Sequence, residues 1–113
     1  NAHTTASDAL WAGVPLLTCR GHAFPGRVAA SLLHAVGLPE LVTDNMGAYE
    51  VLALKLARDP AGLRAIRDKI EKNRLTTPLF DTDRFRRHIE AAYTRMWEIH
   101  QRGETPQSFA VQA

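Results

Sequence analysis

The residues best suited to chemistry lie in the run Asn1-Ala2-His3-Thr4-Thr5, directly before a predicted helix. The first backbone N–H groups of a helix have no acceptor within it, and the helix dipole adds partial positive charge there, so this position favours a bound phosphate. The threonine hydroxyls and His3 would add further donors. The same residue types are ordinary helix caps, so a phosphate site and a simple cap both remain consistent with the run.

Asp8 has two interpretations. It follows Thr5 by three residues, as the acidic member of a capping box follows its threonine, and this pair predicts a helix over residues 5–12. Its carboxylate could instead accept a hydrogen bond from a ribose hydroxyl. Both interpretations place Asp8 close to the start of the same helix.

A strand, a helix and a second strand are predicted to follow this helix. Gly13 ends the helix, and the apolar run over residues 14–19 is typical of a buried parallel strand. The next helix is predicted to begin at Pro25 and to end before Gly37, and residues 40–43 give a second short strand. Such an order predicts one βαβ unit.

The remainder of the chain is predicted to be helical. One helix begins at Asp44 or Asn45, and the pair Asp59-Pro60 begins another, since an aspartate cap followed by proline is a strong start signal. A third helix of about five turns carries apolar residues at alternating spacings of four and three from Phe85 to Ile99. We expect residues 104–113 to form a flexible tail.

Composition excludes several classes of protein. The 113 residues are 45% apolar and 23% charged, with 14 Lys and Arg against 12 Asp and Glu, so neither disorder nor bulk attraction to nucleic acid is indicated. Cys19 is the single cysteine, which excludes an intrachain disulfide and favours the reducing cytoplasm. No run is long enough to span a membrane, and no cluster has zinc-ligand spacing. Five helices against two strands indicate a piece of a larger parallel sheet.

Several motifs in one order resemble a known family. They resemble the C-terminal catalytic lobe of protein O-GlcNAc transferases and their plant SPINDLY relatives, over nearly the whole chain to about Gly103. The matching segments are His3-Thr4-Thr5-x-x-Asp8-x-Leu10-Trp11-Ala12-Gly13-x-Pro15, Gly21, Arg27-Val28-Ala29-Ala30-Ser31, Gly37-Leu38-Pro39-Glu40-Leu41, Lys55-Leu56-Ala57, Asn73-Arg74-Leu75, Pro78-Leu79-Phe80-Asp81-Thr82 and Met96-Trp97-Glu98.

This resemblance implies the end of a GT-B enzyme, with residues 1–103 forming the C-terminal portion of a Rossmann-like, helix-rich α/β lobe that binds a nucleotide sugar. By its match to the family motif, the segment His3, Thr4 and Thr5 would contact the UDP diphosphate, and Asp8 would bind the ribose. The implied reaction transfers a sugar, GlcNAc from UDP-GlcNAc in the first instance, to Ser or Thr hydroxyls without a metal ion or other cofactor. Fucose remains an alternative donor sugar.

Other parts of such an enzyme are expected to precede this segment. The resemblance places upstream a diphosphate-binding lysine, the second lobe with its catalytic base, and tetratricopeptide repeats that select protein acceptors. We therefore expect the isolated fragment to be inactive. The expected partners are a nucleotide-sugar donor and a protein acceptor, with no nucleic acid and no membrane.

A second hypothesis is a helical interaction module without catalytic activity, which would bind protein or nucleic acid. Residues 58–74 carry six basic side chains against three acidic ones, although solvated helix faces explain such runs as well. Arg20 and His22 follow the first predicted strand, where a donor-site role and a solvated turn are both open. Arg27 could contact a phosphate or an internal carboxylate, and of these we predict the ion pair with a carboxylate.

Overall fold

The computed structural model describes residues 2–112, so Asn1, the first residue of the predicted phosphate-binding run, and Ala113 lie outside the described residues. Within that range the chain forms five α-helices, two β-strands and two short 3-10 turns at Pro39–Leu41 and Pro78–Phe80. The elements are α1 (Thr4–Trp11), β1 (Thr18–Cys19), α2 (Phe24–Ala35), β2 (Val42–Thr43), α3 (Met46–Arg58), α4 (Pro60–Asn73) and α5 (Thr82–Gln101).

The two strands pair in parallel, as the sequence predicts, with Thr18 opposite Val42 and Cys19 opposite Thr43. The Thr43 hydroxyl donates to the Thr18 carbonyl at 3.0 Å. The backbone N–H of Arg20 donates to the Thr43 carbonyl at 2.7 Å, which continues the ladder by one residue beyond β1. Helix α2 connects the two strands, so its N-terminus lies at the carboxyl end of β1.

The first strand is shorter than predicted, because residues 14–17 are not part of it. Pro15 has no N–H to donate to a neighbouring strand. The N–H of Val14 donates instead to the carbonyl of Ala9 at 2.8 Å, which closes the end of α1, and the Val14 side chain is 47% exposed. The apolar run thus serves partly as a helix-to-strand connection.

The core of the unit formed by residues 1–80 draws apolar side chains from α1, α2, α4 and the first 3-10 turn. Its fully buried members are Leu10, Leu33, Val36, Leu38, Leu41 and Ile70. Burial of one such side chain contributes about 1.5–3 kcal/mol, so this cluster is the main source of stability for the elements around the βαβ unit.

Helix ends in this unit follow the predicted signals. The Asn45 side chain accepts a hydrogen bond from the N–H of Ala48 at 2.8 Å and begins α3. Asp59 ends α3 and begins α4, where its carboxylate accepts from the N–H of Gly62 at 2.8 Å. These contacts satisfy N–H groups that have no acceptor within their own helices.

Two long-range contacts secure the ends of α1 and α2. Asn73 Nδ2 donates to the Val36 carbonyl at 2.9 Å, just before Gly37, whose φ of +79° ends α2. Arg74 donates to the Trp11 carbonyl at 2.5 Å, and its guanidinium lies 5.4 Å from the Trp11 ring centroid. The C-terminal end of α4 is therefore bonded to the C-terminal ends of two earlier helices.

Residues 81–113 form a second compact unit, built on the 20-residue helix α5. Asp81 caps this helix by accepting from the N–H of Arg84 at 2.8 Å. Asp83 pairs with Arg86 at 2.9 Å and also with Arg87. The hydrogen bond from Arg86, followed by the charge of Arg87, lowers the pKa of the Asp83 carboxyl from its ordinary value.

The predicted apolar positions of α5 lie on a regular helix and differ in exposure. Phe85 is 68% exposed and Met96 is 53% exposed, whereas Ile99 is buried. Residues 104–112 contain no helix or strand, and Phe109 in this segment is half-buried and lines a cavity of about 300 Å³ with Met96 and Ile99.

Across residues 2–112, no helix has the length and apolarity needed to cross a membrane.

Candidate functional site

The N-terminus of α1 has backbone donors without an acceptor in the part of the chain that the structure describes. Its buried face, Ala6 and Leu10, holds the helix against the core. The His3 carbonyl accepts from the N–H groups of Ala6 at 3.1 Å and Ser7 at 3.2 Å. The N–H groups of Thr4 and Thr5 have no acceptor among residues 2–112, and both threonine side chains are exposed. Two amides and two hydroxyls are thus available to an anion at the positive end of a helix.

His3 connects this helix N-terminus to the N-terminus of α2. Its Nε2 lies 3.3 Å from the Pro25 carbonyl oxygen, and its ring contacts the Phe24 ring edge-on with 6.1 Å between centroids. Because a carbonyl only accepts, this hydrogen bond requires the proton on Nε2, and Nδ1 becomes a second donor only in the imidazolium form. His3 is therefore positioned by these two contacts. Its Nε2 is bonded to Pro25, and its Nδ1 faces away from that bond.

Asp8 does not form the predicted capping box. The helix begins at Thr4, with His3 at the cap position and no side-chain capping bond, so Thr5 is already inside the first turn. A capping box needs its acidic residue at the third helical position, and Asp8 occupies the fifth. The Asp8 carboxylate is exposed and has no hydrogen-bond partner in the described part of the chain. Because residues three and four apart share a helix face, Asp8 lies one turn along from Thr4 and Thr5.

The structure thus brings the four residues proposed from the sequence onto one end of one helix. His3, Thr4 and Thr5 are consecutive at the N-terminus of α1, and Asp8 follows on the next turn. None of the four side chains is buried, and the three hydroxyl and carboxylate groups are exposed to solvent. The arrangement can donate several hydrogen bonds to a phosphate and accept one from a neighbouring hydroxyl group.

Three basic residues near β1 line a cavity. For two of them, Arg20 and His22, the sequence left open a donor-site role and a solvated turn. Arg20, His22 and Arg27 border a space of about 330 Å³ together with Asp44. Arg20 is paired with Asp44 at 2.7 Å. The ion pair predicted for Arg27 is absent from residues 2–112, because its side chain is exposed and no carboxylate lies within 4 Å. The sequence signal for this cavity is that Arg20 and His22 directly follow a predicted parallel strand.

Metal-ligating residues are dispersed in the described range. Across residues 2–112 no group of three or more His, Cys, Asp or Glu side chains is placed to hold a metal ion. Cys19 is a free, half-buried thiol at the end of β1. His34 is on α2, whereas His88 and His100 are on α5, where the His100 ring lies beside Trp97.

Two parallel strands joined through a helix, within an arrangement of five helices over residues 2–112, define a helix-rich α/β protein. A family model described as Glycosyl transferase family 41 matches residues 1–89. The chain belongs to this family.

Individual relatives extend the match beyond residue 89. The chain is 41% identical over 112 residues to a probable UDP-N-acetylglucosamine–peptide N-acetylglucosaminyltransferase, SEC, of Arabidopsis thaliana, covering 98% of this chain and 12% of that protein. It is 35% identical over 103 residues to the UDP-N-acetylglucosamine–peptide N-acetylglucosaminyltransferase of Caenorhabditis elegans, covering 91% and 9% respectively.

A solved structure confirms the fold class. A mutant O-GlcNAc transferase from Thermobaculum terrenum matches with a TM-score of 0.79 at 38% identity, covering 85% of this chain and 18% of that one. The predicted helix-rich α/β arrangement of two parallel strands and five helices is therefore confirmed. The chain spans between 9% and 18% of the length of these three relatives.

Proposed function

We propose that this chain is the C-terminal portion of a glycosyltransferase of the O-GlcNAc transferase type. The whole enzyme would transfer GlcNAc from UDP-GlcNAc to Ser or Thr hydroxyls of a protein acceptor. The observation that carries this proposal is the 41% identity, over 98% of the chain, to a relative whose name describes transfer of N-acetylglucosamine from UDP-N-acetylglucosamine to a peptide. Residues 1–103 would belong to the donor-binding lobe of a GT-B enzyme, and residues 104–113 would form its flexible tail.

The N-terminus of α1 would hold the diphosphate of the donor. The N–H groups of Thr4 and Thr5, which have no acceptor among residues 2–112, lie at the positive end of the helix, where an anion gains about 0.3–1 kcal/mol from the dipole alone. The two threonine hydroxyls supply further donors to phosphate oxygens. His3 would add a charge-assisted hydrogen bond through Nδ1 when its imidazole is protonated, while Nε2 remains bonded to Pro25.

Asp8 would bind the ribose of the same nucleotide. A separation of three to four residues corresponds to about 4.5–6 Å along a helix axis, which suits a ribose attached next to the diphosphate. The Asp8 carboxylate has no partner in residues 2–112, so it can accept hydrogen bonds from ribose hydroxyls without breaking an internal contact. This arrangement supports the orientation of the donor along α1.

These contacts would act during the chemical step. The acceptor hydroxyl forms a bond to the anomeric carbon, the bond from that carbon to the diphosphate oxygen breaks, and the electron pair leaves with UDP. Negative charge then increases on the departing phosphate. Amides at a helix N-terminus are oriented before the reaction, so they stabilise that charge without rearrangement. The proton of the acceptor hydroxyl passes to a base that we place outside this chain.

Binding of UDP to isotope-labelled protein tests the proposed donor site. We expect saturable changes in backbone amide shifts over residues 2–9, with GDP binding more weakly. His3→Ala should weaken UDP binding about fivefold, the effect of about 1 kcal/mol, whereas His88→Ala on α5 should leave it unchanged. Equal effects of the two variants, or salt-sensitive shifts confined to residues 58–87, would contradict the donor site and favour an interaction module.

A further inference from the structure

The loop between β1 and α2, together with the first turn of α2, lines a cationic cavity separate from the N-terminus of α1. Arg20, His22 and Arg27 line the cavity of about 330 Å³ that also contacts Asp44. The same three side chains border a neighbouring cavity of about 690 Å³, whose wall includes Phe24. Two guanidinium groups and an imidazole therefore face a shared space at the carboxyl end of a parallel strand.

Backbone hydrogen bonds hold this loop in place. Its two ends are joined by the N–H of Gly21, which donates to the Gly26 carbonyl at 2.9 Å, and Gly26 in turn donates to Ala23 at 3.0 Å. The N–H of Arg20 is bonded to Thr43 of β2. A Cβ atom on Gly21 would lie 3.3 Å from the Gly26 Cα, so the two backbone segments are in close contact. The basic side chains thus extend from a positioned backbone.

The charges in this cavity are not balanced. Arg20 is paired with the carboxylate of Asp44 at 2.7 Å, which shows that the cavity accommodates a carboxylate against a guanidinium. Arg27 and His22 are exposed and have no hydrogen-bond or ion-pair partner among residues 2–112. One guanidinium is therefore unmatched even when His22 is neutral, and the N-terminus of the 12-residue helix α2 adds partial positive charge.

We propose that this loop binds a carboxylate of an acidic segment in the protein acceptor. The inference rests on the proposed function: with the donor diphosphate assigned to α1, an anion bound at this loop would come from the remaining reactant, the protein acceptor. The loop adjoins the proposed donor site, because Phe24 contacts the ring of His3. Phe24 is 77% exposed and would contact an apolar residue next to the acidic one. Arg27 would form the charge-assisted hydrogen bonds to the carboxylate.

Two substitutions with opposite expected effects test this site in the labelled chain. The probe is a terminally blocked peptide with a leucine between two glutamates, and the control peptide carries glutamines instead. Arg27→Gln should weaken binding of the glutamate peptide about fivefold. Asp44→Asn should tighten it by a similar factor, because it releases Arg20 from its internal partner. Arg64→Gln, at an equally exposed and unpaired arginine of α4, should change nothing.

The readout separates this proposal from the donor site. We expect the glutamate peptide to shift amides over residues 20–28, whereas UDP shifts those over residues 2–9. Equal binding of the glutamine peptide, no response at residues 20–28, or tighter binding of inorganic phosphate there than of the peptide would each overturn the acceptor site. A failure of the UDP arm alone would instead overturn the proposed donor site.

Discussion

At Gly37 a single added methyl group should destabilise the fold through both the backbone conformation and one identified contact. Its φ of +79° is unfavourable for any residue with a Cβ atom. An added Cβ would also lie 2.8 Å from Asn73 Nδ2, which now donates to the Val36 carbonyl. Gly37→Ala therefore strains the backbone and displaces the amide that bonds α4 to the end of α2.

The magnitude follows from these two effects. The left-handed backbone conformation costs an alanine about 1–2 kcal/mol, and loss of the Asn73 hydrogen bond costs about 1 kcal/mol, so the free energy of unfolding should fall by about 2–3 kcal/mol. Gly13→Ala is the matched control, because Gly13 has φ +78° and a Cβ there would meet nothing within 4 Å. It should cost only about 1–2 kcal/mol. Each alanine also lowers the conformational entropy of the unfolded chain, which stabilises the folded state. This stabilisation is common to both variants and cancels in their difference.

Urea unfolding of the two alanine variants, with Asn73→Ala and the double variant, measures this difference. In the Asn73→Ala background there is no amide to displace, so Gly37→Ala should cost about as much as Gly13→Ala. The coupling between positions 37 and 73 should be about 1 kcal/mol. If the two glycine substitutions destabilise the protein equally, and the double variant is additive, then the contact with Asn73 has no energetic role and the reasoning is wrong.

Two further predictions concern aspartates at helix starts. Asp59→Ala removes the cap of α4 and should lower the free energy of unfolding by about 1 kcal/mol in the same urea assay. Asp68 is exposed on the same helix and has no partner among residues 2–112, so Asp68→Ala should change the free energy of unfolding by no more than about 0.5 kcal/mol. Asp83 has its pKa lowered from 3.8, first by Arg86, so its ion pairs stabilise α5 above pH 3.8 and are lost as pH falls through the lowered value. An acid titration of helicity by circular dichroism should lose that step in Asp83→Asn, and an unchanged curve would contradict it.

Local signals predicted the helix boundaries well because their causes are local. Asn45 and Asp59 cap the helices that the sequence assigns to them, through hydrogen bonds that span only three residues. Gly13 and Gly37 end their helices with positive φ, as their type predicts. The parallel pairing of the two strands followed from their alternation with helices, and the structure confirms it.

Other features were not predictable because they depend on which side chains meet after folding. The apolar run after Gly13 predicted six strand residues, but the N–H of Val14 bonds back to α1 and only two residues enter the ladder. Arg27 was predicted to form an ion pair that the described residues do not contain. The bond between Asn73 and Val36 joins residues 37 positions apart, and no local pattern signals it.

The candidate donor site was accessible to sequence reasoning because it is continuous in the chain. His3, Thr4, Thr5 and Asp8 fall within six residues, so one helix positions all of them. The exception was the capping role of Asp8, since the helix begins two residues earlier than a capping box at Thr5 requires. The contact of His3 with Pro25 was not predictable, because it depends on how α1 and α2 lie against each other.

Arg74 places a positive charge at the C-terminal end of α1, and this charge affects the electrostatic field at the N-terminal end of the helix. It donates to the carbonyl of Trp11, the last residue of α1, so the negative pole of this helix faces a full positive charge. A helix of eight residues is only about 12 Å long, and an anion near its N-terminus would otherwise also be repelled by that pole. Because this charge outweighs the partial negative charge of the far pole, the attraction between α1 and an anion would fall off with distance as for a net positive charge rather than as for a dipole. Arg74, 63 positions away from Trp11 in the sequence, would therefore extend the range over which α1 attracts an anion such as the proposed diphosphate, without contacting that anion.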